Sequence, residues 1–532
     1  MNPPQEIVRG DSAPFVAWAK DHAIPVSIPP SDDSFDDLHF LSEIVGEQRV
    51  VALGETAHYM HEWNRFRARL FKYLVQTRGF DTFVLESGLV EGRNIHDYVA
   101  GGDVDWDTVV TSITNAWGVW DELQELIQWM RRYNEDPDKE RELRFYCMDG
   151  TGNWFHARHA HDAVMAFVRK VDVDLAGTVQ SLEEAVQYID FDRRGEWEES
   201  TWKSLIADAS LIVNRIEQHR IGYVEASSQD DFDWGLRSAE ILRDVLLNLA
   251  QTELDFSVGF KTFWNIRDAS MARSLEWILN REGPEARAVV GAHNTHLQQC
   301  PVRVNKATSM GSYVANRIGR EKLLLIGTAS TYSVKGEEPD PESCAAVYEQ
   351  VGPDCFFLDL RNAPVTGPVA GWLGTERMDR HNLRYGPVTP VPAWDCLLFS
   401  RRVRIGDVAL APSMEMERAT PDPAQFDALS GRYLVLGFVA AQNTLDIIRD
   451  GDRLYASGED DTSGELFPPY RSEIFEAEDG RFVWNDWPAR LAFHRDGDGP
   501  AMRVTITMPG MGVYHGERAS GVLSQRMPES IT

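Results

Sequence analysis

The chain has 532 residues, of which 43% are hydrophobic and 26% are charged, a balance that is ordinary for a globular protein and excludes a mainly disordered chain. Its 83 acidic and 53 basic residues give a net charge of −30, which argues against a nucleic-acid or anionic-membrane surface because phosphates would be repelled. The length predicts two or more domains.

Five short apolar runs in the first part of the chain each end in polar residues and precede a helix-like segment. Continuous apolar runs of this length are typical of strands that are buried on both faces. Their alternation with helices predicts an α/β fold with a mostly parallel central sheet flanked by helices. The runs are Arg49–His58, Asp81–Gly88, Leu143–Gly150, Ala286–His296 and a segment that begins at Lys322.

Three other regions have different patterns. Residues 153–255 place apolar side chains three and four positions apart, which predicts a helical subdomain inserted into an α/β domain of residues 1–410. Residues 411–425 contain prolines without periodicity, which indicates a linker. Residues 426–532 contain short alternating runs separated by turn dipeptides, which predict a small antiparallel β domain.

The cysteines and the hydropathy pattern bear on the compartment. The five cysteines form no CxxC pair, which argues against a disulfide framework and against a cysteine-based zinc site. The N-terminus lacks a basic stretch followed by an apolar one, and no run approaches the roughly 18 apolar residues of a membrane span. We therefore expect a cytoplasmic protein that binds neither membranes nor nucleic acid.

Acidic, basic and amide side chains follow the predicted strands at the point where each strand ends. In open α/β sheets, ligands bind at the carboxyl ends of the strands, so we expect these side chains to share one edge. One such group is common at a turn, but several neighbouring strands that each deliver one indicate a catalytic site. The residues are Glu55, His58, Glu86, Asp149, His293, Asn294 and His296.

These residue types point to acid–base chemistry. The chain has no GxSxG elbow, no GxxxxGK[ST] loop and no HExxH motif. A histidine can activate water near neutral pH, and a nearby carboxylate can stabilise the imidazolium that forms, as the spacing of Glu55 and His58 allows. Glu86 can be a second base or an orienting group, while His293 and His296 can polarise a carbonyl or protonate a leaving group. The same histidines and carboxylates can instead bind a divalent metal.

A plain structural reading exists for several of these residues. Glu55, Glu86 and Asp149 can be capping groups at loop or strand ends, and Asn294 can be a turn residue. Arg67 lies on the helix after the first strand and can be solvated, although it can also reach a substrate carbonyl or carboxylate. We nevertheless expect Arg67, Asn294 and Asp149 to contact the substrate.

The order of these motifs resembles the erythromycin esterase family over about residues 15–408. Each motif alone is weak, but their combination in the family's order is specific. The matching blocks are GETAH with Glu55 and His58, an arginine-rich helix, FVLESG with Glu86, FYCMDG with Asp149, the RDxxMA block at Arg267, Asp268, Met271 and Ala272, AHNTH from Ala292 to His296, and FLDLR from Phe357 to Arg361.

The resemblance implies an α/β fold with an inserted helical part, and hydrolysis of the lactone ester of macrolide antibiotics without a covalent enzyme intermediate. It implies that His58 is the general base, that Glu55, Glu86, His293 and His296 complete the active-site cluster, and that Arg67 lies near it. Two departures bear on substrate specificity: the family's Thr-His-Gly is Ala57-His58-Tyr59 here, and its Asn-Gly-His is Asn294-Thr295-His296. The C-terminal part is weakly similar to β domains appended to serine-hydrolase-like proteins.

The leading hypothesis is a hydrolase that uses water activated by His58 to cleave an ester or lactone of a large, apolar natural product, without a cofactor. Three alternatives remain open at this point. They are a biosynthetic tailoring enzyme that catalyses cyclisation or elimination with the same cluster, a metal-dependent hydrolase, and a non-catalytic protein that sequesters the ligand. Added water in the product, sensitivity to chelators and recovery of unchanged ligand would distinguish these hypotheses.

Overall fold

The computed structural model describes most of the chain, including both predicted domains. Residues 411–415 and 421 of the predicted linker, residues 189–196 and 252–255 of the predicted helical subdomain, and residues 520–532 of the predicted β domain lie outside the described residues. The described residues are 11–28, 34–114, 117–154, 156–188, 197–251, 261–301, 306–332, 338–381, 384–410, 416–420, 422–436, 442–459, 471–485, 487, 489–495, 497, 499–508 and 512–519.

A mixed, mostly parallel sheet forms the centre of the first domain. Its strands and those of a small hairpin are β1 (Ile24–Pro25), β2 (Val50–Leu53), β3 (Thr82–Gly88), β4 (Arg144–Asp149), β5 (Ala288–Gly291), β6 (Leu323–Tyr332), β7 (Cys355–Asp359), β8 (Arg377–His381), β9 (Arg384–Val388) and β10 (Cys396–Arg402). Strands β8 and β9 form the hairpin, and the other eight follow the order β1-β7-β10-β6-β2-β5-β3-β4. The pairings from β10 through β4 are parallel, whereas β7 and β1 add antiparallel pairings at one edge. The predicted fold class is thus confirmed.

Helices cover both faces of the sheet. Along β2, Val51 and Leu53 belong to one apolar core, while Val50 and Ala52 belong to the core on the opposite face. This division explains the unbroken apolar sequence of the strand. The helices of this domain are α1 (Ala13–His22), α2 (Leu41–Val45), α3 (His61–Arg78), α4 (Arg93–Val99), α5 (Trp106–Thr111), α6 (Asp121–Glu135), α7 (Arg158–Val171), α8 (Val173–Ser181), α9 (Glu183–Tyr188), α10 (Glu199–Gln218), α11 (Arg220–Ala226), α12 (Gln229–Gln251), α13 (Lys261–Arg281), α14 (Asn294–Leu297), α15 (Met310–Ile318), α16 (Cys344–Glu349), α17 (Gly367–Leu373) and α18 (Pro390–Ala393).

Helices α7 to α13 lie between β4 and β5 in the chain and form a helical subdomain. Residues such as Val164, Ile212 and Leu242 are fully buried in a third apolar core that these helices share. The last helix, α13, also packs against β4 and so connects the subdomain to the sheet.

The C-terminal domain is a closed barrel of eight antiparallel strands. Leu445 and Ile447 are buried in its core, while the intervening Asp446 is partly exposed, in the alternation expected for strands with one buried face. Pairing of the first and last strands closes the sheet and leaves no free edge. The strands are β11 (Gly431–Leu436), β12 (Gln442–Asp450), β13 (Arg453–Glu459), β14 (Ser472–Glu476), β15 (Phe482–Trp484), β16 (Arg490–Arg495), β17 (Ala501–Met508) and β18 (Gly512–Arg518).

The end of the predicted linker is helical rather than irregular. Helix α19 (Pro423–Leu429) begins two residues before the predicted end of the linker at residue 425 and continues beyond it. The Asp422 side chain accepts a hydrogen bond from Ala424 N, and Pro423 occupies the first turn, where its missing N–H costs nothing. The sequence pattern missed this helix because it has only two turns.

The described residues also bear on the cysteines and on membrane association. All five cysteines are free, and four of them are buried. Within the described ranges, no helix is both long enough and apolar enough to cross a membrane.

Candidate active site

The sheet order brings the predicted site residues to one edge. Strands β2, β5, β3 and β4 are neighbours, and the first three pair in parallel, as do β3 and β4. Their carboxyl ends therefore coincide. Glu55 follows β2, Glu86 lies near the end of β3, Asp149 ends β4 and His293 follows β5.

His58 and Glu55 form a buried pair at this edge. His58 Nδ1 contacts Glu55 Oε1, and Arg67 Nη2 donates to the other carboxylate oxygen, Glu55 Oε2, at 3.0 Å. Glu55 is fully buried, whereas the His58 side chain is 11% exposed. A hydrogen bond from Nδ1–H to Glu55 leaves the lone pair of a neutral imidazole at Nε2. This arrangement suits a base whose protonated form is stabilised by a carboxylate.

Arg67 reaches Glu55 because Gly291, at the end of β5, has no side chain. A Cβ at this position would overlap the Arg67 guanidinium. The Arg67 side chain is 3% exposed and also donates to Asn64 at 3.3 Å. It therefore lies beside the His58–Glu55 pair, with its guanidinium directed at Glu55. Its contact with a substrate stays a prediction.

A second group of charges is centred on Glu86. Arg267 Nη2 donates to Glu86 Oε1 at 2.8 Å and to Asp149 Oδ2 at 2.6 Å. His296 Nε2 lies 3.2 Å from Glu86 Oε1, and its Nδ1 lies 2.7 Å from Asp268 Oδ1. The side chains of all five residues are at most 8% exposed. Arg267 and His296 thus pair with three carboxylates in a site that is almost completely buried.

The pKa values of this group follow from its charges. Burial by itself would raise the pKa of Glu86, but the His296 and Arg267 charges hold that pKa well below its usual value. Burial would likewise lower the pKa of His296, yet the Asp268 and Glu86 carboxylates raise it to about 9. Near neutral pH, Glu86 is therefore an anion and His296 is a cation.

His293 lies between the two groups. Its backbone N–H donates to Glu86 Oε2 at 2.7 Å, and its ring centroid is 5.2 Å from that of His58. The Thr295 N–H donates to Nδ1 at 3.2 Å, and Nε2 lies 3.1 Å from the Thr56 carbonyl oxygen. A carbonyl can only accept, so these contacts favour the neutral tautomer with its proton on Nε2.

Asn294 and Asp149 have extensive protein partners. Asn294 Nδ2 donates to the Thr328 carbonyl at 2.8 Å and Oδ1 accepts from the Thr328 N–H at 3.2 Å, which connects the end of β5 to β6. Asp149 accepts from Arg267, from Gly150 N at 2.8 Å and from Trp154 Nε1. Their contact with a substrate stays a prediction, while the structure shows that both side chains hold neighbouring segments in place.

Arg267 and Asp268 are site residues that the strand-end pattern did not identify. They lie on α13, in the helical subdomain, and not at the end of any strand. The signal in the sequence was a pair of opposite charges followed at helical spacing by Met271 and Leu275, which are buried. Charges on the buried side of a helix require partners.

Metal binding was an alternative for this cluster. Among the described residues, no group of three or more His, Cys, Asp or Glu side chains is arranged to hold a metal ion. The nitrogens of His293 and His296 are directed at hydrogen-bond partners instead.

The loop that carries His58 is in contact with the barrel. Tyr59, the next residue, has a φ of 66°, a left-handed conformation that is costly for a side chain with a Cβ. Its ring stacks on Trp120, with centroids 5.1 Å apart, and meets Trp487 of the barrel edge-on at 6.0 Å. Trp120 and Trp487 also contact each other at 5.8 Å. Aromatic packing therefore opposes relaxation of the strained backbone beside His58.

The segment that leaves the sheet toward the barrel holds the same loop. Gly406 N donates to the Tyr59 carbonyl at 2.8 Å, and Ile405 forms an isolated antiparallel bridge with Met60. Val408 forms a similar bridge with Trp120. Both the barrel and the residues that connect it to the sheet thus contact the loop that carries His58.

The sheet, the helical subdomain and the buried cluster of histidines and carboxylates at the strand ends define an α/β protein with a candidate acid–base site. The chain belongs to the erythromycin esterase family, because the model of that family matches residues 75–398, more than half of the chain. The match ends before the barrel begins at Gly431. Membership assigns the chain to a family of hydrolases and implies a small-molecule substrate.

Similar proteins carry names that agree with this assignment. Erythromycin esterase type II of Escherichia coli is 27% identical over 322 residues, which are 58% of this chain and 76% of that protein. The putative hydrolase YbfO of Bacillus subtilis (strain 168) is 24% identical over 341 residues, or 61% and 73% of the two chains. Erythromycin esterase type I of Escherichia coli is 22% identical over 303 residues, or 55% and 73%.

Solved structures show the same fold. A crystal structure of a Bacillus cereus protein matches with a TM-score of 0.64 and 22% identity, covering 75% of this chain and 100% of that one. An erythromycin esterase in its open conformation matches with a TM-score of 0.58 and 18% identity, covering 72% and 98% of the two chains.

Proposed function

We propose that this protein hydrolyses an ester or lactone of a macrolide-like or other large natural product with water activated by His58, without a covalent enzyme intermediate. The observation that carries the proposal is the pairing of His58 with fully buried Glu55, beside a cluster that holds Glu86 as an anion. The names of the relatives support an ester as the bond that is cleaved.

In the proposed step, water attacks the carbonyl carbon while one of its protons passes to His58 Nε2. The tetrahedral intermediate then breaks the carbon–oxygen bond to the leaving alcohol, which takes the proton back from His58. The products are an acid and an alcohol, with one water consumed. Glu55 stabilises the imidazolium between the two proton transfers, and Arg67 keeps Glu55 in place.

Glu86 has a separate role in the proposal. It orients the attacking water or a substrate hydroxyl, and Arg267 and His296 keep it charged and fixed. The positive charges of these two residues also favour the negative charge that develops on the carbonyl oxygen. His293 lies between the His58–Glu55 pair and the charges around Glu86, and its backbone N–H holds Glu86 in place.

The test compares wild-type protein with His58→Ala on erythromycin A and a panel of simpler lactones and aryl esters. We expect loss of the general base to reduce turnover about 10²- to 10⁴-fold in a protein that remains folded. His39→Ala, at an exposed position, is the control and should retain full activity. Full turnover by His58→Ala would remove the assignment, and a product without added water would favour cyclisation or elimination instead.

A further inference from the structure

A cavity of about 850 Å³ lies beside the candidate active site. Helices α4, α5, α7 and α12 contribute to its walls, and Thr507, Met508 and Val513 of the barrel contribute one side. The cavity therefore joins the sheet domain, the helical subdomain and the barrel. The family match ends at residue 398, so the barrel side is an addition to the family domain.

The floor of the cavity consists of the loops that directly follow β3 and β4. Thr114, which lines the cavity, accepts from Gly88 N at 2.9 Å and bonds the hydroxyl of Ser87, the residue after Glu86. Glu91, also in the lining, accepts from Gly152 N at 2.8 Å, three residues after Asp149. Residues adjacent to the charged cluster thus form this floor.

Glu91 and His156, both in the lining, each have one buried polar atom that no described residue bonds. The Glu91 side chain is 7% exposed, and its Oε1 accepts from Gly152 N and from the Thr151 hydroxyl. His159 Nε2 lies 4.0 Å from Oε1. Among the described residues, the second oxygen of Glu91, Oε2, has no hydrogen-bond partner, and neither has Nδ1 of His156. Burial, together with the neighbouring His159 and Arg158, lowers the pKa of His156 to about 4, so this ring is neutral. A buried carboxylate oxygen without a donor is costly unless a ligand supplies one.

The cations of the cavity are already neutralised by protein carboxylates. Arg93 lies 3.2 Å from Asp230 and 3.5 Å from Asp231, and Lys170 also pairs with Asp231. An anionic ligand would have to compete with these pairs and would be repelled by Glu91.

The hydroxyl groups of the cavity point to the same ligand chemistry. Thr108 Oγ1 donates to Asp105 at 2.7 Å and Thr111 Oγ1 donates to the Asp107 carbonyl at 2.8 Å. With their protons engaged, these hydroxyls offer lone pairs to the cavity. Thr108 and Thr111 thus add acceptor capacity to that of Glu91 Oε2 and His156 Nδ1.

We propose that this cavity binds a protonated amine, with Glu91 as the counter-ion, and that the amine belongs to the substrate of the neighbouring site. The assignment to the substrate rests on the proposed function, whereas binding of the amine does not. An ammonium group supplies the donor that Glu91 Oε2 lacks, and its fixed positive charge adds to that of the His159 ring, whose Nε2 lies 4.0 Å from Glu91 Oε1. The remaining volume accommodates the apolar or hydroxylated frame of the amine.

The binding test uses three probes that share the adamantane frame on the full chain: 1-adamantylamine, 1-adamantanol and 1-adamantanecarboxylate, each by calorimetric titration at pH 7.5. We expect the protonated amine to bind at least tenfold more tightly than the carboxylate. Equal affinity for the amine and the carboxylate, or binding of neither, would overturn the proposal.

Two variants locate the amine in this cavity. Glu91→Gln retains an oxygen for Gly152 and Thr151 but removes the charge, so we expect at least a tenfold loss of amine affinity with little change for the alcohol. Glu225→Gln removes the same charge at an exposed position outside the lining and should change nothing. Ala166→Trp fills the cavity from an exposed helix position and should abolish binding of the amine and the alcohol. Unchanged amine binding by both cavity variants would refute the site.

A kinetic measurement tests the connection to the substrate. On any ester that the wild-type protein hydrolyses, 1-adamantylamine should raise KM without changing kcat, and Glu91→Gln should weaken this inhibition at least tenfold. Amine binding without inhibition would overturn the substrate assignment. If no ester is hydrolysed, the proposed function fails, but the calorimetric result still decides whether the cavity is an amine site.

Discussion

The charge of His296 makes the stability of the candidate site depend on pH, because two buried carboxylates raise the pKa of this residue. The raised pKa of about 9 depends on the ion pairs with Asp268, at 2.7 Å, and Glu86, at 3.2 Å. A histidine in the unfolded chain titrates near 6.5, so the charged ring stabilises the fold fully below about pH 6.5. That contribution is lost as the pH rises through about 9. Glu86, whose pKa is lowered, stabilises the fold above its ordinary value of about 4.5, and this effect is lost in acid.

Asp268 sets part of the raised pKa of His296. Asp268→Asn removes one of the two carboxylates that favour the imidazolium, so the pKa of His296 should fall and the alkaline loss of stability should begin at a lower pH. The measurement is Tm against pH from 6 to 10, together with kcat/KM over the same range. Asp174→Asn, at an exposed position on α8, should leave the profile unchanged. An identical alkaline midpoint in Asp268→Asn would show that Asp268 does not set this pKa.

The loops that follow the strands hold the residues of the candidate site. For this, the backbone of one loop must pass close to the side chains of the next. Gly54 follows β2, and a Cβ there would overlap Oδ1 of Asn294, the side chain that connects β5 to β6. Asn294 N also donates to the Glu55 carbonyl at 2.8 Å. A side chain at position 54 would therefore displace both the β5 loop and the residue that orients His58.

Gly54→Ala tests this requirement. We expect a loss of about 1–3 kcal/mol in the free energy of unfolding from overpacking, and a larger relative loss of kcat because Glu55 moves. Chemical denaturation and steady-state kinetics give the two numbers. Gly177→Ala is the matched control, because this exposed glycine of α8 has open space around it, and it should stabilise the protein by about 0.5–1 kcal/mol. Wild-type kinetics in Gly54→Ala would contradict the positioning argument.

The same elements show how far sequence patterns reach. Apolar runs predicted the strands around Glu55, Glu86 and Asp149, because a parallel strand buried on both faces needs such a run wherever it lies. Arg267 and Asp268 belong to a helix that the subdomain brings back to the sheet, and helical periodicity does not say what a helix packs against. The two turns of α19 were missed for lack of enough residues to show a period.

At the scale of the whole molecule, the barrel contacts the loop that carries His58. Trp487 is 2% exposed and packs against Tyr59 and Trp120. Backbone hydrogen bonds connect residues 404–409 to the segment around Tyr59 and to the segment around Trp120. Tyr59 has a left-handed backbone conformation, with a φ of 66°. We expect the aromatic packing to compensate for the backbone cost of a tyrosine there.

Trp487→Ala in the full chain tests the contribution of the barrel. Removing the ring should make the loop that carries His58 more mobile, so that His58 is less often in the productive geometry. We therefore expect kcat to fall about tenfold, with a smaller change in KM. Trp487→Phe keeps an aromatic contact and should restore most of the activity. Near-UV circular dichroism checks that the barrel stays folded. Full kcat in a folded Trp487→Ala protein would show that the barrel does not position the loop.

The sequence by itself determined the strands, the shared edge that carries Glu55, Glu86 and Asp149, and a net charge of −30 that argues against a nucleic-acid surface. The strands and their shared edge follow from local patterns and from the rule that parallel strands align their carboxyl ends, and the net charge follows from composition. Only the tertiary structure decided that Arg267 meets Glu86 from 181 positions away, that β11 and β18 close a barrel, and that Trp487 reaches Tyr59. Such contacts join segments that are far apart in the sequence. Their packing depends on the whole core, so the local pattern of apolar residues does not predict it.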